Sequence, residues 1–209
     1  MILARQVTSI MNKDIQNRIK IVKGINKNDI EIAALIYYEA FRKKILSGDM
    51  TEMQALELLK RSINTENCFA VYYDDALVAF SGFYKEKKAF MKIKLIDCAD
   101  ILGLFEGFFY FIFSAMLNRP PAKKELQMDG IAVRSDFRGN GFGSMLLKKL
   151  IEYGKYLNFN KIKLDVIDGN DGAHRLYLKT GFKDIKRHRL GILGVLYGIK
   201  GFTHMHYTL

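Results

Sequence analysis

Apolar and polar positions alternate with two different periods along this chain of 209 residues. Segments with every second residue apolar predict half-buried strands, and segments with apolar residues three or four places apart predict amphipathic helices. Asp74 and Asp75 are predicted to form a tight turn between two strands. The predicted strands, in chain order, are Arg18–Lys23, Phe69–Tyr73, Leu77–Tyr84, Glu125–Val133, Lys161–Ile167, Phe182–Lys186 and Phe202–Tyr207.

Two helix starts precede the first hairpin. Asn28 with Glu31 three places later has the spacing of a capping arrangement, ahead of an apolar face that includes Ile32 and Ile36. A second start is marked by Thr51 and, three places later, a glutamine. The buried side of this second helix is predicted to be Met53, Leu56, Leu59 and Ile63.

The segment 101–117 is almost entirely apolar. It is short for a bilayer and carries Glu106 in its first half, so we predict a buried or partner-facing helix and no membrane contact. Core packing is predicted for most of its aromatic residues, with an acceptor pocket or a homodimer contact as alternatives. The first twenty residues lack the layout of a secretory signal, and residues 1–18 are expected to be an arm or an extra helix.

Composition limits the class of protein. There are 2 Pro and 17 Gly, and no long flexible stretch divides the chain, so a single domain over residues 1–209 is predicted. The two cysteines fit neither a disulfide framework nor metal-ligand spacing, which favours a reduced thiol pair and a cytoplasmic location. A net charge of +11 indicates a polyanionic partner, which includes nucleic acid, anionic lipid and a phosphate-rich cofactor.

One glycine-rich stretch carries the strongest chemical signal. Arg134–Leu147 has the sequence RSDFRGNGFGSMLL, directly after a predicted strand and leading into the predicted helix Gly141–Leu157. Glycines allow left-handed backbone and close approach of a ligand, and the N–H groups of a helix start then form an anion site. The Walker pattern and the dinucleotide fingerprint both fail at Ser144, while Arg138 adds a forked cationic donor.

What remains, Arg138-x-x-Gly141-x-Gly143, resembles the signature of the GCN5-related N-acetyltransferases. A second stretch, from Asn170 to Phe182, is similar to the other hallmark of that family: Asn, then Ala, then Leu-Tyr, then Gly-Phe. It lies on a predicted helix, Asp171–Thr180, that ends at a glycine suited to left-handed backbone. Because both motifs occur in family order, the resemblance is strong over Glu125–Phe182.

The resemblance implies the α/β acyl-CoA N-acyltransferase fold, with a mixed, mostly antiparallel sheet of about six to seven strands flanked by helices. It also implies acetyl-coenzyme A as co-substrate, with its pyrophosphate on the glycine-rich loop and its pantetheine beside the strand that ends at Val133. A bulge near Gly130 would help the sheet to splay there. The implied cofactor-binding residues are Ile131, Ala132, Val133, Arg138, Gly139, Asn140, Gly141, Phe142, Gly143, Ser144, Asn170, Ala173 and Tyr177.

In this family an amine attacks the thioester directly, so a proton acceptor and a donor to the leaving thiolate are needed. By resemblance Tyr177 donates to the sulfur, with packing against pantetheine as the alternative. Strand alternation predicts that Glu125, Asp129, Ile131 and Val133 share one face, and either carboxylate could accept the amine proton through water. Both could also be structural, and Asn170 could be an ordinary helix cap.

The acceptor is predicted to be an amine, a small metabolite first and a protein or peptide second. A basic nucleic-acid-binding or regulatory module that kept the fold without transfer is the alternative from another class. Residues 85–124 are predicted to be a variable insert on the acceptor side. His204 and His206 lie two apart without a third ligand, so no metal is predicted, and residues 191–201 are predicted as a turn-rich connection or a flap.

Overall fold

The computed structural model describes residues 18–45, 50–117, 120–191 and 200–209. Within them the chain forms one seven-stranded sheet in the order β1-β2-β3-β4-β5-β7-β6. Neighbouring strands are antiparallel except for β4 and β5, which are parallel. The strands are β1 Ile19–Lys23, β2 Cys68–Tyr73, β3 Ala76–Tyr84, β4 Glu125–Val133, β5 Lys161–Ile167, β6 Lys183–Arg189 and β7 Gly201–Thr208.

Helices cover both faces of the sheet. One buried cluster lies under the first four helices and includes Ile36, Leu58 and Phe80. The second lies under the last two helices and includes Leu146, Leu164 and Tyr177. The helices are α1 Ile30–Ile45, α2 Glu52–Ser62, α3 Leu95–Leu102, α4 Leu104–Leu117, α5 Phe142–Tyr156 and α6 Asp171–Thr180. This confirms the mixed, mostly antiparallel sheet flanked by helices.

The local signals for turns and caps were mostly confirmed. Asp74 and Asp75 both have positive φ, 49° and 62°, as a tight hairpin between twisted strands requires. Thr51 and Gln54 form a complete capping box at the start of α2. Gly181 ends α6 in the left-handed conformation, with φ 100°.

The prediction for the start of α1 was wrong in position. The capping side chain is Asn26, which accepts a hydrogen bond from the backbone N–H of Asn28 and begins a short 3-10 turn, Lys27–Asp29. The helix follows directly at Ile30. Two asparagines two places apart offer the same capping chemistry, and local pattern alone does not distinguish them.

The buried side of α2 was also partly wrong. Met53 is 80% exposed, and the core positions are Ala55, Leu58, Leu59 and Ser62. Met53 lies in the first turn of the helix, and the periodic pattern alone overestimates its burial.

The apolar segment 101–117 is divided between two helices. Gly103, with φ 85°, ends α3, and α4 begins at the next residue. Tyr110 and Phe113 are buried as predicted, but Phe105, Phe108 and Phe109 are 75%, 48% and 52% exposed. No helix in the described part of the chain is both long and apolar enough to span a bilayer.

The contact between α3 and α4 depends on a missing side chain. A Cβ on Gly107 would lie 2.5 Å from the backbone oxygen of Cys98, a separation that no carbon atom tolerates. The backbones of the two helices therefore approach closely at this point because residue 107 is a glycine.

We expect Gly107→Ala to lower the free energy of unfolding by about 1–3 kcal/mol, because backbone must move to admit the methyl group. Gly172→Ala is the matched control, since it also lies in a helix but its Cβ would meet nothing within 4 Å. The control is expected to be neutral or slightly stabilising. Urea denaturation of both variants checks this, and equal stability would show that the crossing is looser than described.

Candidate functional site

A cleft opens in the middle of the sheet between β4 and β5. The two parallel strands pair only at their first three residues, from Glu125↔Lys161 to Gln127↔Lys163. Beyond that point they separate, and a cavity of about 380 Å³ lies between them. Among the described strands, none pairs with the β5-facing side of β4 past Gln127, and the backbone there is available to a ligand.

A bulge in β4 accompanies this separation. Gly82 pairs with Gly130 and Phe83 pairs with Met128, so Asp129 is the extra residue. Gly130 has φ 151°, and a Cβ there would lie 2.5 Å from the ring of Phe41. The glycine thus permits both the bulge and the close approach of α1 at the edge of the cleft.

The bulge changes which residues share a face. Before it, Leu126 and Met128 belong to the core under α5 and α6; after it, Ile131 and Val133 pack against that same core. The prediction that Glu125, Ile131 and Val133 point to one face was therefore wrong, because one inserted residue reverses the alternation.

The glycine-rich loop joins the end of β4 to α5. Gly139 and Gly141 have φ 83° and 81°, and a Cβ at either would meet nothing within 4 Å. Gly141 is the N-cap of α5 and no side chain of the described residues caps the helix, so its first N–H groups are open to an anion. Arg138 is exposed at the edge of the loop and donates from Nε to the carbonyl of Val133 at 3.2 Å.

The other loop residues support this shape. Asn140 donates its side-chain amide to the carbonyl of Phe137 at 3.1 Å, which closes the turn. Phe142 is buried in the core, whereas Ser144 is exposed on the first turn of the helix. Gly143 contributes to packing, since a Cβ there would lie 3.1 Å from Leu176 on α6. This third glycine permits close packing of the two helices that carry the two motifs.

The second motif places α6 along the other wall of the cleft. Asn170 caps the helix by accepting the backbone N–H of Ala173 at 3.2 Å. Asn170, Ala173 and Tyr177 all line the cavity. Tyr177 is only 6% exposed, and burial raises its pKa well above the usual range, so the phenol keeps its proton.

Glu125 lies at the closed end of the cleft. Its carboxylate is 9% exposed, forms an ion pair with Lys161 at 3.0 Å and a second with Lys163, and accepts the N–H of Ala122. Burial alone would raise its pKa, but the hydrogen bonds from the two lysines outweigh burial and the net pKa is lowered. The carboxylate is thus engaged by two lysines and one backbone N–H and does not line the cavity.

Asp129, by contrast, lines the cavity. The backbone N–H of Met91 donates to its Oδ2 at 3.1 Å, across the bulge, and this bond fixes the carboxylate at the mouth of the splay. The structure therefore brings Asp129 and Tyr177 to one cleft, while the glycine-rich loop follows the far end of β4 and Glu125 lies apart at the closed end.

The face of the cleft away from α5 and α6 is polar. In β5, Leu164 and Val166 point into the core, so Asp165 points to the opposite face. Asp165 pairs in register with His204 of β7, and Asp165 Oδ1 is 2.8 Å from His204 Nδ1. Both residues line the cavity. Pro120 and Pro121 close the same side, so the end of the predicted insert does reach the cleft.

Sequence patterns did not assign Asp165 and His204 to the site. The alternation of β5 places Asp165 on the polar face, and the pattern of β7 places His204 on one face with His206. Their pairing, however, depends on a register between segments 39 residues apart, which no local signal specifies. The predicted flap falls mainly on residues 192–199, outside the described residues. Within the described part of the chain, no group of three or more candidate metal ligands occurs.

Solved structures with the same fold belong to acetyltransferases. A GCN5-related N-acetyltransferase from Kribbella flavida is 16% identical with a TM-score of 0.62, covering 93% of this chain and 99% of that one. The yncA protein of Salmonella typhimurium, determined with its cofactor acetyl-CoA, has a TM-score of 0.55 at 15% identity, covering 92% and 94% of the two chains. At such identities the likeness establishes the fold alone.

Curated relatives share a shorter stretch. A thialysine N-epsilon-acetyltransferase of Sus scrofa is 32% identical over 79 residues, which are 38% of this chain and 44% of that protein. N-acetyltransferase 8B of Rattus norvegicus is 28% identical over 89 residues, 43% of this chain and 40% of that one. The chain therefore matches less than half the length of these relatives.

The family match extends much further along the chain. The family model described as Acetyltransferase (GNAT) family matches residues 33–182, from α1 through the end of the second motif. That range contains the splayed strands, the glycine-rich loop and Tyr177. The acetyltransferases of this family use acetyl-coenzyme A as co-substrate. With the matching sheet and both motifs in place, the chain belongs to the GNAT acetyltransferase family.

Proposed function

We propose that the protein transfers the acetyl group of acetyl-coenzyme A to a primary amine. The observation that supports this most directly is the cleft itself, which is lined by Asp129, Asn170 and Tyr177 and opens beside β4, the strand that leads into the glycine-rich loop. The loop would hold the pyrophosphate by its backbone N–H groups and Arg138. Pantetheine would lie along the β5-facing side of β4, beside Ile131, Ala132 and Val133, where no described strand pairs with it.

The proposed chemistry is direct attack. The amine nitrogen forms a bond to the thioester carbon, the carbon–sulfur bond breaks, and the thiolate takes a proton. Tyr177 is the proposed donor to the sulfur, because it lines the cleft and its raised pKa keeps the phenol protonated. Asp129 is proposed to hold the acceptor amine by its negative charge at the mouth of the splay.

A small metabolite is the proposed acceptor. Phe41, Pro120 and Pro121 line the cavity of about 380 Å³, a volume suited to a compact ligand. The thialysine N-epsilon-acetyltransferases among the relatives take their name from a lysine-like amino acid. We therefore propose a panel of primary amines headed by thialysine and lysine, with an amino-terminal peptide included for the protein alternative.

We propose a cytoplasmic location because of the two cysteines. Cys68 and Cys98 are both buried and free. Burial raises the pKa of Cys68 to about 12 and that of Cys98 to about 11, so both remain thiols. Free buried thiols are typical of proteins from reducing compartments.

The direct test combines binding and turnover. Acetyl-coenzyme A is expected to raise the melting temperature of the protein by mass action, and one or more amines of the panel should then release free coenzyme A thiol. A protein that binds acetyl-coenzyme A but acetylates nothing on the panel, peptide included, would contradict the proposed transfer.

Gly141→Val is expected to abolish the melting shift produced by acetyl-coenzyme A. The side chain would enter the open space above the loop, and φ 81° is strained for any residue with a Cβ. Gly103→Val is the control: its φ of 85° with ψ 164° is at least as strained for a residue with a Cβ, and its Cβ also meets nothing, but it lies between α3 and α4. Both variants should lose stability, and only the first should lose the shift. An undiminished shift in Gly141→Val would remove the loop from the site.

Tyr177→Phe is expected to lower kcat by about 100-fold and to change the affinity for acetyl-coenzyme A by less than about threefold. The hydroxyl is used only when the sulfur departs, whereas the ring packs in both states. Steady-state kinetics and calorimetric titration of the variant separate the two effects. Equal losses in kcat and affinity would leave Tyr177 with packing alone.

The variant Glu125→Gln tests whether the carboxylate of Glu125 stabilises the fold or accepts the amine proton. The pKa of Glu125 is lowered in the folded state, so its stabilisation is present above the unfolded pKa of about 4.3 and is lost as pH falls through the folded pKa. The variant should therefore be less stable than the parent at neutral pH and converge with it in acid. Its kcat, measured below the melting range, should stay within about threefold of the parent.

The control for that variant is Glu152→Gln, which removes an exposed ion pair to Lys149 at 3.6 Å and should change stability little. A large fall of kcat in a folded Glu125→Gln protein would restore Glu125 as the proton acceptor.

A further inference from the structure

A proton acceptor is the part of the reaction that the two motifs do not supply. The amine of a lysine-like acceptor has a pKa near ~10.4, so at neutral pH it is almost entirely an unreactive ammonium ion. Glu125 is held in two ion pairs, and an ordinary aspartate, with a pKa near ~3.9, is a weak base toward such an amine. A histidine, with an ordinary pKa near ~6.5, is better matched to accept this proton at neutral pH.

The polar face of the cleft holds such a histidine in a defined orientation. His204 Nδ1 is 2.8 Å from Asp165 Oδ1, and the two residues are register partners on adjacent strands. An ionised carboxylate can only accept, so Nδ1 carries the hydrogen and the lone pair of the neutral ring lies on Nε2. His204 lines the cleft and is about a quarter exposed, which allows exchange of a proton with water.

We propose that His204, oriented by Asp165, is the general base that removes the proton from the acceptor amine. This rests on the transfer function proposed above and assigns its base to the β5–β7 pair instead of a β4 carboxylate. Asp165 is a positioning residue, because it acts through the ring of His204. Asp129 keeps its role as the charge that holds the amine.

The protons taken up and released during the reaction balance when His204 and Tyr177 act as follows. His204 Nε2 takes one proton from the ammonium ion, the neutral nitrogen attacks the carbonyl carbon, and the carbon–sulfur bond breaks. Tyr177 gives its proton to the sulfur and recovers one from the nitrogen that has become an amide. His204 then releases its proton to solvent, so each turnover yields an acetyl amide, free coenzyme A and one proton.

Several charged and titratable groups surround His204 and set the electrostatic environment of its ring. On its own strand His206 lies two residues away, and burial lowers the pKa of His206, with further lowering from the neighbouring positive charges. The cross-strand partner of His204 on β6 is Lys186, and Lys163 lies diagonally across on β5. The groups that face His204 or share its cleft are Asp165, Lys163, Lys186, His188, His206, Asp129 and Tyr177.

The primary test is His204→Gln, compared with His206→Gln on the same face of the same strand. At neutral pH we expect His204→Gln to lower kcat/KM for the best amine of the panel by about 100-fold. The His206→Gln control should stay within about threefold. Acetyl-coenzyme A should raise the melting temperature of both variants as it does for the parent, because neither change touches the loop.

Two readouts separate a base from a merely structural residue. As pH rises toward the pKa of the amine, the substrate deprotonates by itself, so the deficit of His204→Gln should shrink steadily. Methoxyamine, which is uncharged at neutral pH, should be acetylated by the variant and the parent at similar rates. Asp165→Asn should shift the acid limb of the pH–rate profile for the thialysine or lysine reaction, and leave methoxyamine unaffected.

The outcomes are distinct. Full activity of His204→Gln at neutral pH, or a deficit that persists at high pH and with methoxyamine, would overturn the role of His204 while leaving acetyl transfer intact. A parent protein that transfers acetyl to no nucleophile, methoxyamine included, would end both proposals together.

Discussion

The cleft depends on the interrupted pairing of β4 with β5. β4 and β5 are joined at three residue pairs and then separate, although separation leaves backbone hydrogen-bonding groups without partners among the described strands. Two features permit this: the bulge at Asp129, and the glycine after it, against which Phe41 packs. An uninterrupted parallel pair would fill the sheet and leave no cleft.

The reactive groups are brought to this gap from different parts of the chain. The glycine-rich loop follows β4, and α6 follows β5, so two consecutive strand–helix units supply the proposed anion site and Tyr177. The β5–β7 pair supplies Asp165 and His204 on the other face. The proposed roles therefore divide along the plane of the sheet, with the thioester of the co-substrate assigned to one face and the acceptor amine to the other.

Local sequence signals predicted many of the strands and helices around the cleft. Strands β4 and β5 and helix α6 begin and end where the periodicity placed them, because each has a regular pattern bounded by turn or cap residues. The cap of α1 and the exposure of Met53 were missed, since both depend on how a helix end meets the rest of the molecule. The face of Ile131 and Val133 was wrong because a single bulge residue reverses alternation, and a bulge leaves only a glycine as its signal. The Asp165–His204 contact could not be predicted, because strand register between distant segments is a tertiary property.

Gly143 lies at the contact between the two helices that carry the family motifs. Its missing side chain admits Leu176, so the helix that starts at the anion loop and the helix that carries Tyr177 rest directly on each other. Neither helix can shift alone without opening a void or forcing an overlap at that contact. Positions 143 and 176 are therefore under a joint steric constraint, in which bulk gained at one position must be matched by bulk lost at the other.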